Sequence, residues 1–179
     1  MKRVFVALSL IAVLAPAAAA AAESEPPAEI SLRRSGCPGA DNRRASEHKR
    51  EDAMRCLINR VRERAGVRGL QSNRSLERAA GGKVGDVVRC GLSHTACGEA
   101  ADAWARRTGY IDGGSFKWGE NLARGKGGRG TAKSVLRAWM GSPPHRETLL
   151  TGAFEHLGLG LKTEGKNAVW VLQLGCRGC

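Results

Sequence analysis

The chain has 179 residues, with 29 lysines and arginines against 17 aspartates and glutamates, so its formal net charge is +12 at pH 7. This length suits one domain with or without a tail, and a 42% share of apolar residues is enough for a core. Aromatic residues make up 4%, which argues against a large aromatic binding platform. The charge favours an anionic neighbour, such as nucleic acid, phospholipid or an acidic cell-wall polymer, without selecting among them.

The N-terminus has the layout of a secretory signal peptide. Lys2 and Arg3 form a positive region, residues 4–14 form an apolar run, and residues 17–22 are alanines. Cleavage is expected near Ala22. The alternative is an uncleaved membrane anchor over the same stretch, which alanine disfavours because it inserts weakly.

The remainder divides into a linker and a domain. Residues 23–45 combine two adjacent prolines with scattered arginines and no apolar period, which predicts a linker. No segment after the signal peptide is apolar enough to span a bilayer, so residues 46–179 are predicted to form the folded domain. With the signal peptide at residues 1–22, this organisation predicts an exported protein that has no transmembrane span after cleavage.

Six cysteines follow the expected cleavage site: Cys37, Cys56, Cys90, Cys97, Cys176 and Cys179. An even number in an exported chain predicts disulfides rather than thiol chemistry. Six cysteines allow 15 pairings, which the sequence cannot reduce to one. Cys90–Cys97 is favoured, since it would close a short loop. The CxxC pair Cys176–Cys179 does not lie in a strand–CxxC–helix context, which favours a structural bridge over a redox role.

Apolar periodicity predicts helices in the first part of the domain. One begins near Ser46, presents an apolar face and ends at Gly66. Asn73 can cap a second helix, whose apolar side extends to Val88 although three glycines weaken it. Residues 99–108 are predicted to form a short third helix.

The last third of the chain contains further helices and then strands. Thr131 can cap a fourth helix that ends at Gly141, and Ser142 followed by proline predicts another short helix. Alternation at residues 157–161 and the apolar residues at 169–174 predict two strands joined by a turn. Helices followed by adjacent strands predict an α+β or layered α/β/α domain rather than a doubly wound sheet.

Several well-known catalytic and binding motifs are absent, among them GxSxG, HExxH and a paired CxxC. A glycine-rich segment is close to a phosphate-binding loop but has the wrong spacing, and it is predicted to be an exposed connection; its basic residues are Arg124, Lys126, Arg129 and Lys133. His94, Glu120 and His145 remain. Two imidazoles and a carboxylate could hold a divalent metal ion or share protons, or could simply be hydrogen-bonded in a core.

Several motifs occur together in one order along the chain. They are Asn59-Arg60-Val61-Arg62, Ser93-His94-Thr95, Gly119-Glu120-Asn121, Trp139-Met140-x-Ser142-Pro143-x-His145-Arg146 and Trp170-Val171-Leu172-Gln173. Over roughly residues 53–175 this order closely resembles the bacterial, secreted branch of the CAP/SCP superfamily, which includes cysteine-rich secretory, antigen-five and pathogenesis-related proteins.

The resemblance implies a three-layer α–β–α sandwich with a small central mixed, mainly antiparallel sheet. It implies a cleft lined by His94, Glu120 and His145, which in some members of the superfamily binds zinc or another divalent ion. Asn121 and Arg146 match the positions that would orient these groups. Residues 139–142 lack the carboxylate that many eukaryotic members place there, so three metal ligands are the most that the chain offers.

The resulting functional hypothesis is a secreted CAP/SCP module that binds a ligand or an envelope component without catalysis. Its expected partners are an anionic envelope component, a lipid or a small ligand, with nucleic acid disfavoured, and the chain is expected to be a monomer. The alternative is a divalent-metal-dependent hydrolase that uses His94, Glu120 and His145, in which Glu120 would be a ligand or the base that activates water. A third alternative is a purely structural domain.

Overall fold

The computed structural model describes residues 36–179. The predicted signal peptide and most of the predicted linker therefore lie outside the described residues. The elements in chain order are α1 (Glu47–Arg64), β1 (Gln71–Ser72), α2 (Arg74–Cys90), α3 (Ala103–Arg107), β2 (Phe116–Lys126), α4 (Ala132–Gly141), α5 (Pro143–Leu150), β3 (His156–Glu164) and β4 (Asn167–Arg177), with short 3-10 turns at Ala96–Gly98 and Gly127–Gly130. No helix within residues 36–179 combines the length and hydrophobicity needed to cross a bilayer.

The four strands form one mixed sheet in the order β1-β3-β4-β2. β1 is parallel to β3, whereas β3–β4 and β2–β4 are antiparallel. β4 is buried from Ala168 to Cys176, because it has a strand on each side and a layer of helices on each face. This confirms the predicted mixed, mainly antiparallel sheet.

Helices cover both faces of the sheet and complete the α–β–α sandwich. α2 contacts β3 and β4, and an apolar cluster that includes Ala80, Val84 and Val171 lies between them. On the opposite face α5 contacts β2, where the Asn121 amide nitrogen donates to the His145 carbonyl at 3.0 Å. α1 contacts both α4 and α5. The predicted fold class is therefore confirmed.

The side chains predicted to cap α2 and α4 do so in the structure. Asn73 Oδ1 accepts from the backbone nitrogens of Ser75 and Leu76 at the start of α2, and Thr131 Oγ1 accepts from that of Ser134 in α4. The three glycines do not interrupt α2, and packing requires one of them. A Cβ on Gly82 would lie 2.4 Å from the Trp104 ring.

The region after α2 differs from the prediction. The third helix was predicted over residues 99–108, but α3 contains only Ala103–Arg107. Cys97 and Gly98 both have positive φ, which ends the 3-10 turn before this helix, and the Cys90–Cys97 disulfide fixes the turn to the end of α2. A local constraint therefore shortens the helix.

The predicted exposed connection was wrong for its first part, since Arg124 and Lys126 lie on strand β2. β2 pairs with β4 along its whole length, from Phe116 opposite Arg177 to Lys126 opposite Asn167. Glycines and basic residues have low strand propensity, so the local sequence does not predict β2. Its hydrogen bonds with the apolar β4 form the strand, and they depend on residues about fifty positions away.

The described end of the predicted linker packs against the domain. Cys37 and Ala40 are buried, and Cys37 is joined to Cys56 of α1. The Lys133 ammonium lies 2.8 Å from the Asp41 carboxylate. Two further disulfides join Cys90 to Cys97, the pair that the sequence analysis favoured, and Cys176 to Cys179.

Candidate functional site

The site forms where β2 and β4 face α2. Glu120 of β2 lies opposite Gln173 of β4, which in turn lies opposite Gly158 of β3. Gly158 faces α2 so closely that a Cβ there would meet the backbone of Leu76. Residues directly opposite each other share one face of a sheet, so Glu120 and Gln173 also point towards the α2 layer.

His94 reaches this pair from the loop that follows α2. Its Nδ1 lies 2.9 Å from Glu120 Oε1, and Gln173 Nε2 donates to Glu120 Oε2 at 3.2 Å. The Glu120 side chain is 1% exposed, whereas that of His94 is 53% exposed. Both carboxylate oxygens are thus occupied, and the imidazole connects the buried acid to solvent.

A buried cation lies beside this acid. Lys83 of α2 is 1% exposed, and its ammonium donates to the backbone carbonyl of His94. Burial raises the pKa of Glu120, while the His94 hydrogen bond and the Lys83 charge oppose that rise. Sequence reasoning missed Lys83, although it lies between Ala80 and Val87 on the apolar stripe of α2. A lysine on an otherwise apolar helix face is the sequence feature that could have identified it.

Two buried amide oxygens have no hydrogen-bond partner among the described residues: Gln173 Oε1 and Asn121 Oδ1. Gln173 is fully buried and Asn121 is 1% exposed. Since most buried polar atoms in proteins are paired, an orphan acceptor indicates a position that a water or ligand donor would complete. Gln173 Oε1 belongs to the side chain that already contacts Glu120.

The second histidine lies in a different environment. His145 is at the start of α5, and its Nδ1 is 2.8 Å from Ser142 Oγ. Burial lowers the pKa of His145, and the charge of His94 lowers it further. An Arg146 guanidinium nitrogen donates to the Met140 carbonyl at 3.2 Å, so Arg146 braces the corner between α4 and α5.

The three-ligand metal site at His94, Glu120 and His145 stays a prediction. Within residues 36–179, no three His, Cys, Asp or Glu side chains are grouped so as to hold a metal ion. Glu120 is bonded to His94 and Gln173, whereas His145 is bonded to Ser142. No chemical step is therefore assigned to a metal ion. The six cysteines are all in disulfides, so none supplies a thiolate nucleophile.

Replacing Glu120 with glutamine is expected to change how stability depends on pH. The pKa of Glu120 is raised in the folded state, so the folded protein retains a proton that the unfolded chain releases. Stability from this group is present below the unfolded value of 4.5 and is lost as pH rises through the folded pKa. The variant should remove that part of the slope, at most ~1.4 kcal/mol per pH unit.

Urea denaturation at a series of pH values measures this slope. The matched control is Glu147→Gln, which removes an exposed carboxylate of α5. Equal slopes in the wild type and the Glu120 variant would contradict the expected result.

Comparisons with known proteins agree with the fold and with the order of the motifs. Residues 56–174 match the CAP family, described as the cysteine-rich secretory protein family. YkwD, an uncharacterised protein of Bacillus subtilis (strain 168), is 29% identical over 119 residues, which are 65% of this chain and 43% of that protein. The chain thus corresponds to less than half of that relative.

Two solved structures share the fold. An outer surface protein from Borrelia burgdorferi superposes with a TM-score of 0.64 at 22% identity, covering 74% of this chain and 96% of that one. An extracellular protein containing an SCP domain from Bacillus anthracis gives a TM-score of 0.54 at 21% identity, covering 73% of this chain and 43% of that one. At these identities the likeness is one of fold.

Proposed function

The chain belongs to the CAP family of cysteine-rich secretory proteins, and from that premise we propose that it is an exported binding module rather than an enzyme. In this proposal the site at His94, Glu120 and Gln173 takes a polar ligand, and the basic surface engages an anionic component of the cell envelope. Asn121, His145 and the surrounding helix corner form the adjoining wall.

The buried Gln173 Oε1 without a partner is the observation that carries the proposal. Beside it lies Glu120, whose carboxylate is closed off from solvent except through the half-exposed His94. A ligand that donates hydrogen bonds, for example a sugar hydroxyl, would satisfy the orphan oxygen. Such a ligand gains affinity because an unsatisfied buried acceptor costs roughly 1–3 kcal/mol.

Binding is a better account than hydrolysis because the groups that chemistry would need are already engaged. Glu120 Oε1 lies 2.9 Å from His94 Nδ1, Oε2 accepts from Gln173 Nε2, and the side chain is 1% exposed, so water has little access to the carboxylate. Within residues 36–179, no three His, Cys, Asp or Glu side chains are grouped as metal ligands. The metal-dependent hydrolase alternative therefore has no support from the described residues.

Export is supported by three independent features. Residues 1–22 have the signal-peptide layout, and the six cysteines form disulfides, which persist in oxidising compartments. The Bacillus anthracis and Borrelia burgdorferi proteins that share the fold are described as extracellular and outer surface proteins. A net charge of +12 suits an anionic envelope partner outside the cytoplasm.

The test compares His94→Ala with His48→Ala in co-sedimentation with isolated bacterial cell walls. The two histidines are both exposed, but His48 lies on α1, outside the site. We expect the His94 variant to bind about tenfold more weakly at high salt, the control to bind like the wild type, and a chelator to change neither. Equal binding by both variants, or binding that disappears with salt in all three proteins, would overturn the proposed role of the site.

A further inference from the structure

A second, strongly basic pocket lies away from the His94 site. Its volume is about 280 Å³, and it is bounded by the segment that precedes α1, the end of β2 and the turn between β3 and β4. Four of its lining residues are cationic, namely Arg43, Arg44, Arg50 and Lys166, and none is acidic. Within residues 36–179, none of the four forms a salt bridge.

Arg50 gives this pocket a fixed cation. Its side chain lies over the Trp170 ring at 5.5 Å, and one guanidinium nitrogen donates to the Gly130 carbonyl at 2.9 Å. Arg50 is 3% exposed, yet its Nε has no hydrogen-bond partner among the described residues. Arg50 therefore supplies a positive charge that its hydrogen bond and the Trp170 ring hold in one position beside the pocket.

Glu47 forms no salt bridge with Arg50 in the described part of the chain. Glu47 acts electrostatically on Arg50, but its Oε1 accepts from both the backbone nitrogen and the hydroxyl of Thr163, at 2.7 and 2.8 Å. The two hydrogen bonds from Thr163 therefore hold the Glu47 carboxylate against strand β3. Arg43 and Arg44 also line the pocket, and both are exposed.

We propose that this pocket binds a phosphate group. Several arginines around one small cavity match the charge and the multiple acceptor oxygens of phosphate, because guanidinium groups donate in a planar fork. The volume lies near the lower end of ligand pockets, ~300–1,000 Å³, so it suits a phosphate headgroup rather than a large organic molecule. The proposal deepens the proposed function and rests on it, since it gives the chemistry of the anionic partner and the place where it binds.

The test titrates inorganic phosphate into the full chain, with chloride at equal ionic strength as the reference, and follows backbone amide NMR signals. We expect saturable shifts at Gly127, Gly165 and Lys166, and about tenfold weaker binding in the Arg43→Gln/Arg44→Gln double variant. Both arginines are exposed, so the variant keeps the fold.

A matched control is Arg74→Gln/Arg137→Gln, which removes the same charge from exposed positions on α2 and α4. No saturable shifts, or equal weakening in both double variants, would overturn the proposal. Vesicles of phosphatidylcholine with phosphatidic acid, against phosphatidylcholine alone, separate the sources. Vesicle binding that is weakened only in the pocket variant assigns a lipid headgroup, whereas unchanged vesicle binding with weakened phosphate binding assigns free or polymer-borne phosphate.

The His94→Ala variant separates this proposal from the proposed function. We expect it to retain the phosphate shifts, because His94 does not line the basic pocket. A phosphate site that fails while His94 still affects cell-wall binding overturns the pocket alone. Loss of the His94 effect with phosphate binding intact overturns the role of the first site alone.

Discussion

Replacing Arg62 with alanine is expected to lower the free energy of unfolding by ~4 kcal/mol. Arg62 is fully buried on α1, and its guanidinium donates to four backbone carbonyls. They belong to Arg68, Leu149, Thr151 and Phe154, at 2.8, 2.7, 3.1 and 3.3 Å. The alanine variant would leave these carbonyls without a donor inside the protein.

The position of the acceptors explains the size of the effect. The carbonyls of Leu149 and Thr151 end α5, where the last turn of a helix has no partners of its own. Arg62 therefore takes the place of a C-terminal cap and joins α1 to α5 and to the approach to β3. Burial lowers the pKa of Arg62 and the charge of Arg68 lowers it further, but the guanidinium remains charged.

Urea denaturation measures the change, with Arg64→Ala as the control from the last turn of the same helix. Arg64 is exposed, so its replacement should alter stability by no more than ~0.5 kcal/mol. If Arg62→Ala does not fold, Arg62→Lys provides the measurement. A lysine ammonium has one nitrogen and cannot replace the three guanidinium nitrogens that donate to the four carbonyls. Stability of either Arg62 variant within ~0.5 kcal/mol of the wild type would contradict the expectation.

The sequence predicted correctly those helices and strands whose capping residues and apolar residues lie within or next to the element itself. The caps of α2 and α4 are examples, since Asn73 and Thr131 bond to nitrogens two or three residues ahead. The apolar patterns of β3 and β4 are local in the same sense, since they lie within the strands themselves. Strand β2 was not predicted, because its glycines and basic residues have low strand propensity and only its pairing with β4 makes it a strand.

The residues of the candidate site could be predicted from the sequence mainly through its resemblance to the CAP/SCP superfamily. Spacing alone could not bring His94 to Glu120, because their contact depends on the register of β2 and on the loop closed by Cys90–Cys97. The resemblance also grouped His145 with them; in the structure its Nδ1 is 2.8 Å from Ser142 Oγ, and the charge of His94 lowers its pKa. Lys83 and Gln173 entered only with the structure, since the cost of burying a polar side chain depends on neighbours from other elements.

Replacing Gly160 with alanine is expected to destabilise the protein by ~3 kcal/mol. A Cβ at this position would lie 2.4 Å from the Ala80 carbonyl oxygen, and one at Gly158 would lie 2.1 Å from the Leu76 carbonyl carbon. Both obstacles are backbone atoms of α2, which cannot rotate away as a side chain can. α2 would therefore have to move away from β3, which would open the apolar cluster around Val84.

The same displacement should disturb the site, because α2 carries Lys83 only three residues after Ala80 and leads into the loop of His94. We expect Gly160→Ala to weaken the contact between His94 and Glu120, observed as a shift of the His94 ring NMR signals. Gly85→Ala is the control on α2, since nothing lies within 4 Å of its Cβ, and it should stabilise the helix by ~0.5–1 kcal/mol. Equal stability of the two variants would show that the close approach of α2 to the sheet does not require glycine. A destabilised Gly160→Ala variant with unchanged His94 signals would show that the site is positioned independently of that approach.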